Sequence, residues 1–211
     1  MIEGISCVVL VGGESRRMGV DKASLDLSGK AMVERVLYVV RPLFKDIYIG
    51  AHEESSLGEA YGLPVIIDTL PGRGPALGVC AALEEAGTEW VFIVSCDLPM
   101  LSAGVIEFLA TLTEGVDAVV PLIEGRAQTT CAIYSRACLV PLAERVASGD
   151  KGSRSLTRFL EETEGLRVRY VTEVELTEID SCVESFIDID TPEDLEEAKE
   201  RLRSRKKDED C

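Results

Sequence analysis

Histidine and aromatic residues are scarce in this sequence. One histidine, His52, occurs among 211 residues, and aromatic residues make up 5% of the chain. A single histidine excludes a metal site built from several histidine ligands, and we expect His52 to lie in a surface loop. Because 46% of the residues are hydrophobic, the core must be mainly aliphatic, which is typical of a globular chain rather than a disordered or fibrous one.

Long hydrophobic runs and a surplus of positive charge are also missing. No apolar run approaches the roughly 20 residues that span a bilayer, and the first residues lack the basic stretch of a secretory signal. The formal net charge is −16, which disfavours sequence-independent binding to nucleic acid or anionic membranes, because both require clustered Lys and Arg. We therefore predict a cytoplasmic protein that binds neither nucleic acid nor membranes.

Paired cysteine motifs are absent as well. The seven cysteines are an odd number, are widely scattered and include no C-x-x-C pair. We interpret most of them as buried thiols in a reducing compartment.

An alternation of strand and helix patterns fills the chain. It predicts an α/β fold with a mainly parallel sheet that is covered on both faces. The predicted strands are 5–11, 47–49, 65–67, 90–95, 118–120, 128–134 and 167–171. The predicted helices are 31–44, 75–86, 103–112, 139–147, 153–162 and a last one that begins at Pro192.

The last helix has the clearest start signal. Thr191 is placed as the N-cap, Pro192 as the first helical residue, and Asp194 stands three residues after the cap, an arrangement typical of helix starts. We predict a single domain over residues 1–203, followed by a charged, disordered tail over 204–211.

Three polar segments follow predicted strands, which is where open parallel sheets bind their ligands. They are the glycine-rich loop from Gly12 to Lys22, Asp68 and Asp97. Parallel strands would bring all three to one edge of the sheet. One cleft could then contain them.

The glycine-rich loop has the chemistry of a phosphate site. Gly12 and Gly13 let the backbone approach a phosphate with inward N–H groups, and Arg17 and Lys22 supply charge-assisted hydrogen bonds. The loop matches neither the P-loop pattern nor G-x-G-x-x-G. The sequence therefore predicts a nucleotide site of another type.

The segment from Leu10 to Lys22, L-V-G-G-E-S-R-R-M-G-V-D-K, resembles the signature loop of the molybdenum cofactor guanylyltransferases, the molybdopterin-guanine dinucleotide biosynthesis protein A family. The resemblance continues in order through segments 68–78, 96–99, 125–134 and 186–195, and so spans nearly the whole chain. It implies a three-layer Rossmann-like nucleotidyltransferase fold of the glycosyltransferase-A type.

The resemblance also implies roles for individual residues. The nucleotide-binding residues that it implies are Leu10, Val11, Gly12, Lys22, Asp68 and Asp97, and the loop chemistry described above adds Gly13. Asp97 is also expected to bind Mg²⁺, a cation that one or two carboxylates and several waters commonly hold. Asp190 is a candidate second ligand, with helix capping or a surface role as its alternative. Arg17, Lys22 and Asp97 are the expected catalytic residues.

The implied reaction is attack by an acceptor phosphate on the α-phosphorus of GTP, with release of pyrophosphate. The implied acceptor is molybdenum-molybdopterin and the product is molybdopterin guanine dinucleotide, with cofactor-delivery proteins or apo-molybdoenzymes as partners. The acceptor phosphate is already anionic, so no protein nucleophile is needed. Positioning and electrostatic stabilisation are then the expected sources of catalysis.

Three departures from the family leave alternatives open. Val11 stands where Ala is common, Gly50-Ala51-His52 where an Asn is frequent, and Asp188-Ile189-Asp190 where Asn-x-Asn is common. Ionised carboxylates cannot donate hydrogen bonds, so the base and the acceptor stay undecided. The alternatives are a CTP-using molybdenum cofactor cytidylyltransferase, an adenosylcobinamide-phosphate guanylyltransferase, a sugar-1-phosphate nucleotidylyltransferase, or a non-catalytic nucleotide-binding module.

Overall fold

The computed structural model describes residues 1–12, 22–53, 55–68, 74–149 and 152–209, with side chains up to residue 204. The strands are β1 (Ile5–Leu10), β2 (Ile47–Ala51), β3 (Val65–Ile67), β4 (Trp90–Ser95), β5 (Ala118–Ile123), β6 (Arg126–Ala127), β7 (Cys131–Ser135) and β8 (Val168–Thr172). The helices are α1 (Met32–Val40), α2 (Ser56–Tyr61), α3 (Pro75–Glu85), α4 (Ala103–Ala110), α5 (Leu139–Ser148), α6 (Leu156–Glu162), α7 (Glu173–Thr177) and α8 (Pro192–Glu209). Short 3-10 helices lie at Lys22–Ser24, Arg136–Cys138 and Glu184–Phe186.

The strands form one sheet in the order β3-β2-β1-β4-β7-β5-β6, with β8 pairing with β5. Strands β1 to β4 are parallel to one another, and β8 is parallel to β5. Strand β7 runs antiparallel between β4 and β5. The mainly parallel α/β sheet is thereby confirmed, and the carboxyl ends of β1 to β4 meet along one edge.

Helices cover both faces of the sheet, because strands such as β1 and β4 are apolar on both sides. One buried cluster joins the sheet to α1, α4 and α7, and a second joins its other face to α3, α5 and α6. A smaller cluster packs Ala198 of α8, and Ile189 in the segment before it, against Met32 and Met100. The predicted three-layer architecture is therefore confirmed.

Several helix boundaries differ from the prediction, with the largest differences at the end of α1, the start of α6 and the end of α8. Helix α1 ends at Val40 rather than near Phe44, because Pro42 has no N–H to continue the helix. Leu43 and Phe44 remain buried in the turn that follows, so their spacing reflects burial rather than helix. Helix α8 begins at Pro192 as predicted, and it reaches Glu209, well into the segment predicted as a tail.

The described cysteines agree with the prediction of buried thiols. Cys182 is exposed, and the buried free cysteines are Cys7, Cys80, Cys96, Cys131 and Cys138. Cys211 lies outside the described residues. Across the described ranges, no helix has both the length and the apolar composition required to cross a membrane.

Candidate active site

A cleft of about 640 Å³ opens at the carboxyl ends of the central strands. Its lining includes five of the predicted nucleotide-binding residues, which are Leu10, Val11, Gly12, Asp68 and Asp97. The rest of the lining is Gly50, Ala51, His52, Glu53, Gly74, Pro75, Gly78, Ser95 and Thr130. Of the other predicted loop residues, Gly13 and Arg17 lie outside the described residues, and Lys22 lies in the 3-10 helix Lys22–Ser24, beyond this lining.

The end of β1 is fixed by hydrogen bonds to both neighbouring strands. The Val11 N–H donates to the Gly50 carbonyl at 2.8 Å, and the Cys96 N–H donates to the Leu10 carbonyl at 3.0 Å. Gly12 then has φ +98°, a backbone conformation that a side chain disfavours. At the cleft wall, Gly12 therefore has a backbone conformation that residues with a side chain rarely adopt.

The side chain of Leu10 forms an apolar floor between two glycines. A Cβ atom on Gly50 would lie 2.8 Å from Leu10 Cδ2 and 2.9 Å from Val8 Cγ1, and one on Gly78 would lie 3.0 Å from Leu10 Cδ2. Gly50 and Gly78 therefore give Leu10 the space to lie across the cleft floor. The departure at Gly50 thus has a packing reason in this chain, because a side chain at this position would force the Leu10 and Val8 side chains to shift.

Replacing Gly50 with alanine is expected to destabilise the protein by about 1–3 kcal/mol, because the added methyl overfills a packed site. Displacement of Leu10 should also weaken nucleotide binding. Urea unfolding and calorimetric titration with Mg-GTP measure the two effects.

Gly104→Ala is the matched control for this substitution. Its added Cβ would lie 2.9 Å from Ile179 Cγ2, but Ile179 is partly exposed and its side chain can move away. Alanine is also a better helix former than glycine in α4. Equal loss of stability in the two variants would contradict the packing role of Gly50.

Asp97 follows β4 and is half-buried in the cleft wall. Burial raises the pKa of the Asp97 carboxyl, against the opposing effects of the Ser95 hydroxyl and the Lys22 ammonium. The nearby carboxylates of Asp188 and Asp190 raise it further. The Ile189 N–H donates to the Asp97 carbonyl at 3.1 Å, which holds the Asp188–Asp190 segment beside Asp97. The charged groups of Asp97, Lys22, Asp188 and Asp190, all singled out in the sequence, are therefore neighbours.

Lys22 forms an ion pair with Asp190. The Lys22 side chain is 18% exposed and that of Asp190 is 46% exposed. The next residues fix the backbone of Asp190, since the Asp194 carboxylate accepts hydrogen bonds from the N–H groups of Asp190 at 3.0 Å and Thr191 at 2.7 Å. The Asp194 N–H in turn donates to Thr191 Oγ1 at 3.2 Å. The predicted N-cap is thus confirmed, and it positions Asp190 to bind Lys22.

The donor set at this end of the cleft suits Mg²⁺. Over the ranges that the structure describes, no three His, Cys, Asp or Glu side chains converge into a metal cage. Magnesium ions need no such cage, because one or two carboxylates, waters and substrate phosphates commonly complete the octahedron. Asp97 offers such a carboxylate, whereas the Asp190 carboxylate is engaged by Lys22.

His52 and Asp68 form a second polar pair at the other end of the cleft. His52 Nδ1 lies 2.5 Å from Asp68 Oδ1, and both residues line the cleft. The prediction that His52 is a surface loop residue captured its exposure but missed this contact. Pairing of β2 with β3 creates it, and no local sequence pattern signals it.

Comparisons with known proteins agree with this geometry. Residues 7–165 match the MobA-like NTP transferase domain. The chain belongs to the MobA-like NTP transferase family. The resemblance found in the sequence is confirmed, and the chain is an enzyme of the nucleotidyltransferase class.

Curated members of this family resemble the chain over nearly its full length. A probable molybdenum cofactor guanylyltransferase from Pelotomaculum thermopropionicum is 32% identical over 193 residues, covering 91% of this chain and 90% of that protein. A molybdenum cofactor guanylyltransferase from Desulfosudis oleivorans is 32% identical over 206 residues, covering 96% and 98%.

Solved structures give the same family fold. Molybdopterin-guanine dinucleotide biosynthesis protein A from Archaeoglobus fulgidus superposes with a TM-score of 0.82 at 28% identity, covering 94% of this chain and 99% of that one. The 4-diphosphocytidyl-2C-methyl-D-erythritol synthase from Anaerococcus prevotii has a TM-score of 0.69 at 16% identity. That second likeness concerns the fold alone.

Proposed function

We propose that this enzyme transfers GMP from GTP to the phosphate of molybdenum-molybdopterin, forming molybdopterin guanine dinucleotide and releasing pyrophosphate. The observation that carries the proposal is the single cleft that holds Leu10, Val11, Gly12, Asp68 and Asp97 along one sheet edge. The guanine nucleotide and the molybdenum cofactor acceptor are inferred from the names of relatives that match the chain over nearly their full length.

The proposed reaction forms one P–O bond and breaks another. An oxygen of the acceptor phosphate attacks the α-phosphorus of GTP, and the bridging bond to the β-phosphate breaks, so that its electron pair leaves with pyrophosphate. Both the acceptor and the leaving group are anionic. The enzyme must therefore hold two negatively charged groups in line and neutralise their charge.

The residues of this chain divide that work between them. Asp97 would hold Mg²⁺, which supplies charge neutralisation on the phosphate oxygens. Lys22 would bind phosphate oxygens, exchanging its partner Asp190 for the substrate. The N–H groups after β1 would direct the triphosphate, with Gly12 allowing close approach. Arg17, which lies outside the described residues, is proposed as a second cation on the triphosphate.

The setting of the reaction is part of the proposal. We infer a cytoplasmic enzyme, since the acidic chain has no surplus of cations for an anionic surface. Proteins that deliver the molybdenum cofactor, or apo-molybdoenzymes that receive the product, are the proposed partners.

Pyrophosphate release tests the proposed function. The purified enzyme is incubated with each of the four NTPs, with and without molybdenum-molybdopterin and with and without Mg²⁺. We expect release only when GTP, the cofactor and Mg²⁺ are present together, and we expect mass spectrometry to detect the guanine dinucleotide product.

Other outcomes of the same experiment identify the alternatives. Release with CTP in place of GTP would indicate a cytidylyltransferase. Release with GTP and adenosylcobinamide phosphate or a sugar 1-phosphate, but not with the molybdenum cofactor, would change the acceptor. Mg-GTP binding without turnover on any of these acceptors would indicate a nucleotide-binding module and contradict the proposal.

A further inference from the structure

The register of two parallel strands brings His52 beside Asp68. Ala51 of β2 pairs with Ile67 of β3, and the Asp68 N–H donates to the Ala51 carbonyl at 3.0 Å. The next residue of each strand is therefore delivered to the same place at the cleft edge. The contact between His52 Nδ1 and Asp68 Oδ1 at 2.5 Å follows directly from this pairing.

The chemistry of the pair sets the direction of the hydrogen bond. An ionised carboxylate only accepts, so the imidazole must donate through Nδ1–H. This bond restrains the Asp68 side chain, which is 9% exposed, while His52 is 41% exposed at the cleft rim. One carboxylate oxygen is thereby engaged, and the carboxylate keeps lone pairs for a donor in the cleft.

The pair lies at the end of the cleft away from Asp97. In the sheet order, β1 and β2 lie between β4, which carries Asp97, and β3, which carries Asp68. Three strand spacings correspond to about 14 Å, which allows a nucleotide to extend from its phosphates at Asp97 to its base near Asp68. The Leu10 side chain between Gly50 and Gly78 provides the apolar floor beneath that path.

We propose that His52 is a positioning residue. It fixes the Asp68 carboxylate so that this group accepts hydrogen bonds from the N1–H and the 2-amino group of guanine. Of the four bases in common NTPs, only guanine presents adjacent ring N–H and amino donors on one edge, and a carboxylate is their complement. This inference rests on the proposed function. It adds the residue that positions the base-recognising carboxylate in this chain.

The test compares GTP with ITP, which lacks the 2-amino group. Calorimetry with full-length protein gives the affinity of each Mg-nucleotide for wild type, His52→Leu and His52→Asn. Asparagine keeps an N–H donor near the position of Nδ1, whereas leucine removes it. We expect His52→Leu to lose about tenfold in GTP affinity, the effect of one charge-assisted hydrogen bond, and to bind GTP and ITP alike. His52→Asn should keep the preference for GTP.

Steady-state kinetics provides a second readout. His52→Leu should raise KM for GTP with little change in kcat, because the pair lies away from the reacting phosphates. Glu59→Ala on α2, an exposed substitution, is the control for surface changes.

Each adverse outcome identifies what has failed. An unchanged GTP-to-ITP ratio in His52→Leu would overturn the role of His52, as would equal loss in the leucine and asparagine variants. A wild-type enzyme that binds the four NTPs alike would contradict the proposed function itself, and that result is visible without any variant.

Discussion

Replacing Asp97 with asparagine is expected to lower Mg-dependent pyrophosphate release by a factor on the order of 10² to 10³, the usual effect of removing one electrostatic contributor to a transition state. Asparagine keeps the size of the side chain and an oxygen that can accept from the Ser95 hydroxyl. The variant removes the negative charge that would hold Mg²⁺. Initial rates measured across a magnesium titration should show the loss even at saturating metal.

The same variant should fold at least as stably as wild type at neutral pH. Burial raises the pKa of Asp97, so its ionised form disfavours the folded state. The stability linked to its protonated form is present below the unfolded pKa, near 3.9, and is lost as pH rises through the higher folded pKa. In thermal melts, the Tm of Asp97→Asn should exceed that of wild type most at pH values above the folded pKa. The difference in Tm should shrink toward acidic pH.

Asp117→Asn is the matched control at the opposite edge of the sheet. Hydrogen bonds from Arg167 lower the pKa of the Asp117 carboxyl, so its ionised form stabilises the fold. That stability is present above the unfolded pKa and is lost as pH falls through the lower folded pKa. This variant should lose thermal stability at pH 7 but release pyrophosphate at the wild-type rate. Near wild-type turnover in folded Asp97→Asn would contradict the assignment of Asp97.

The sequence predicts much of the sheet because strong local signals mark several of its strands. The 65–67 and 90–95 segments match β3 and β4 in full, since β-branched and aliphatic runs end at polar residues or turns. The short helices α2 and α7 escaped prediction because their six and five residues hold too little periodicity to detect.

The hairpin before β7 was also mispredicted. One strand over 128–134 was expected, whereas the chain forms β6 at Arg126–Ala127 and then β7 at Cys131–Ser135. Glu124 and Gly125 both have positive φ, at 49° and 74°, which is the geometry of a tight hairpin turn. Glutamate rarely adopts that conformation, so residue 124 does not signal a hairpin turn.

In the site, too, the residues that follow strands could be predicted from the sequence, whereas contacts between distant segments could not. Residues directly after strands, such as Asp68 and Asp97, are predictable because topology alone carries them to one edge. The His52–Asp68 contact depends on strand register, and the Lys22–Asp190 pair joins residues 168 positions apart. No local sequence pattern signals either contact, so neither could be predicted from the sequence.

Replacing Lys22 with methionine is expected to lower kcat/KM for GTP on the order of 10²- to 10³-fold. Methionine retains the apolar length of the side chain and removes the ammonium group. The loss should appear in both KM and kcat, because the cation would contact the triphosphate in the ground state and stabilise more charge in the transition state. Pyrophosphate release over a GTP titration measures both constants.

Asp190→Asn is the companion variant, and it decides between two roles for this carboxylate. In the structure Asp190 binds Lys22, so its removal should release the ammonium for substrate and change kcat/KM less than tenfold, with the magnesium dependence unaltered. A metal ligand behaves differently, because its loss should raise the magnesium concentration for half-maximal rate and lower kcat as strongly as Asp97→Asn does. In Lys22→Met, adding Asp190→Asn should have almost no further effect, since the two groups act as a pair. Full activity of Lys22→Met would contradict the phosphate role of Lys22, and a right-shifted magnesium titration in Asp190→Asn would restore Asp190 as a metal ligand.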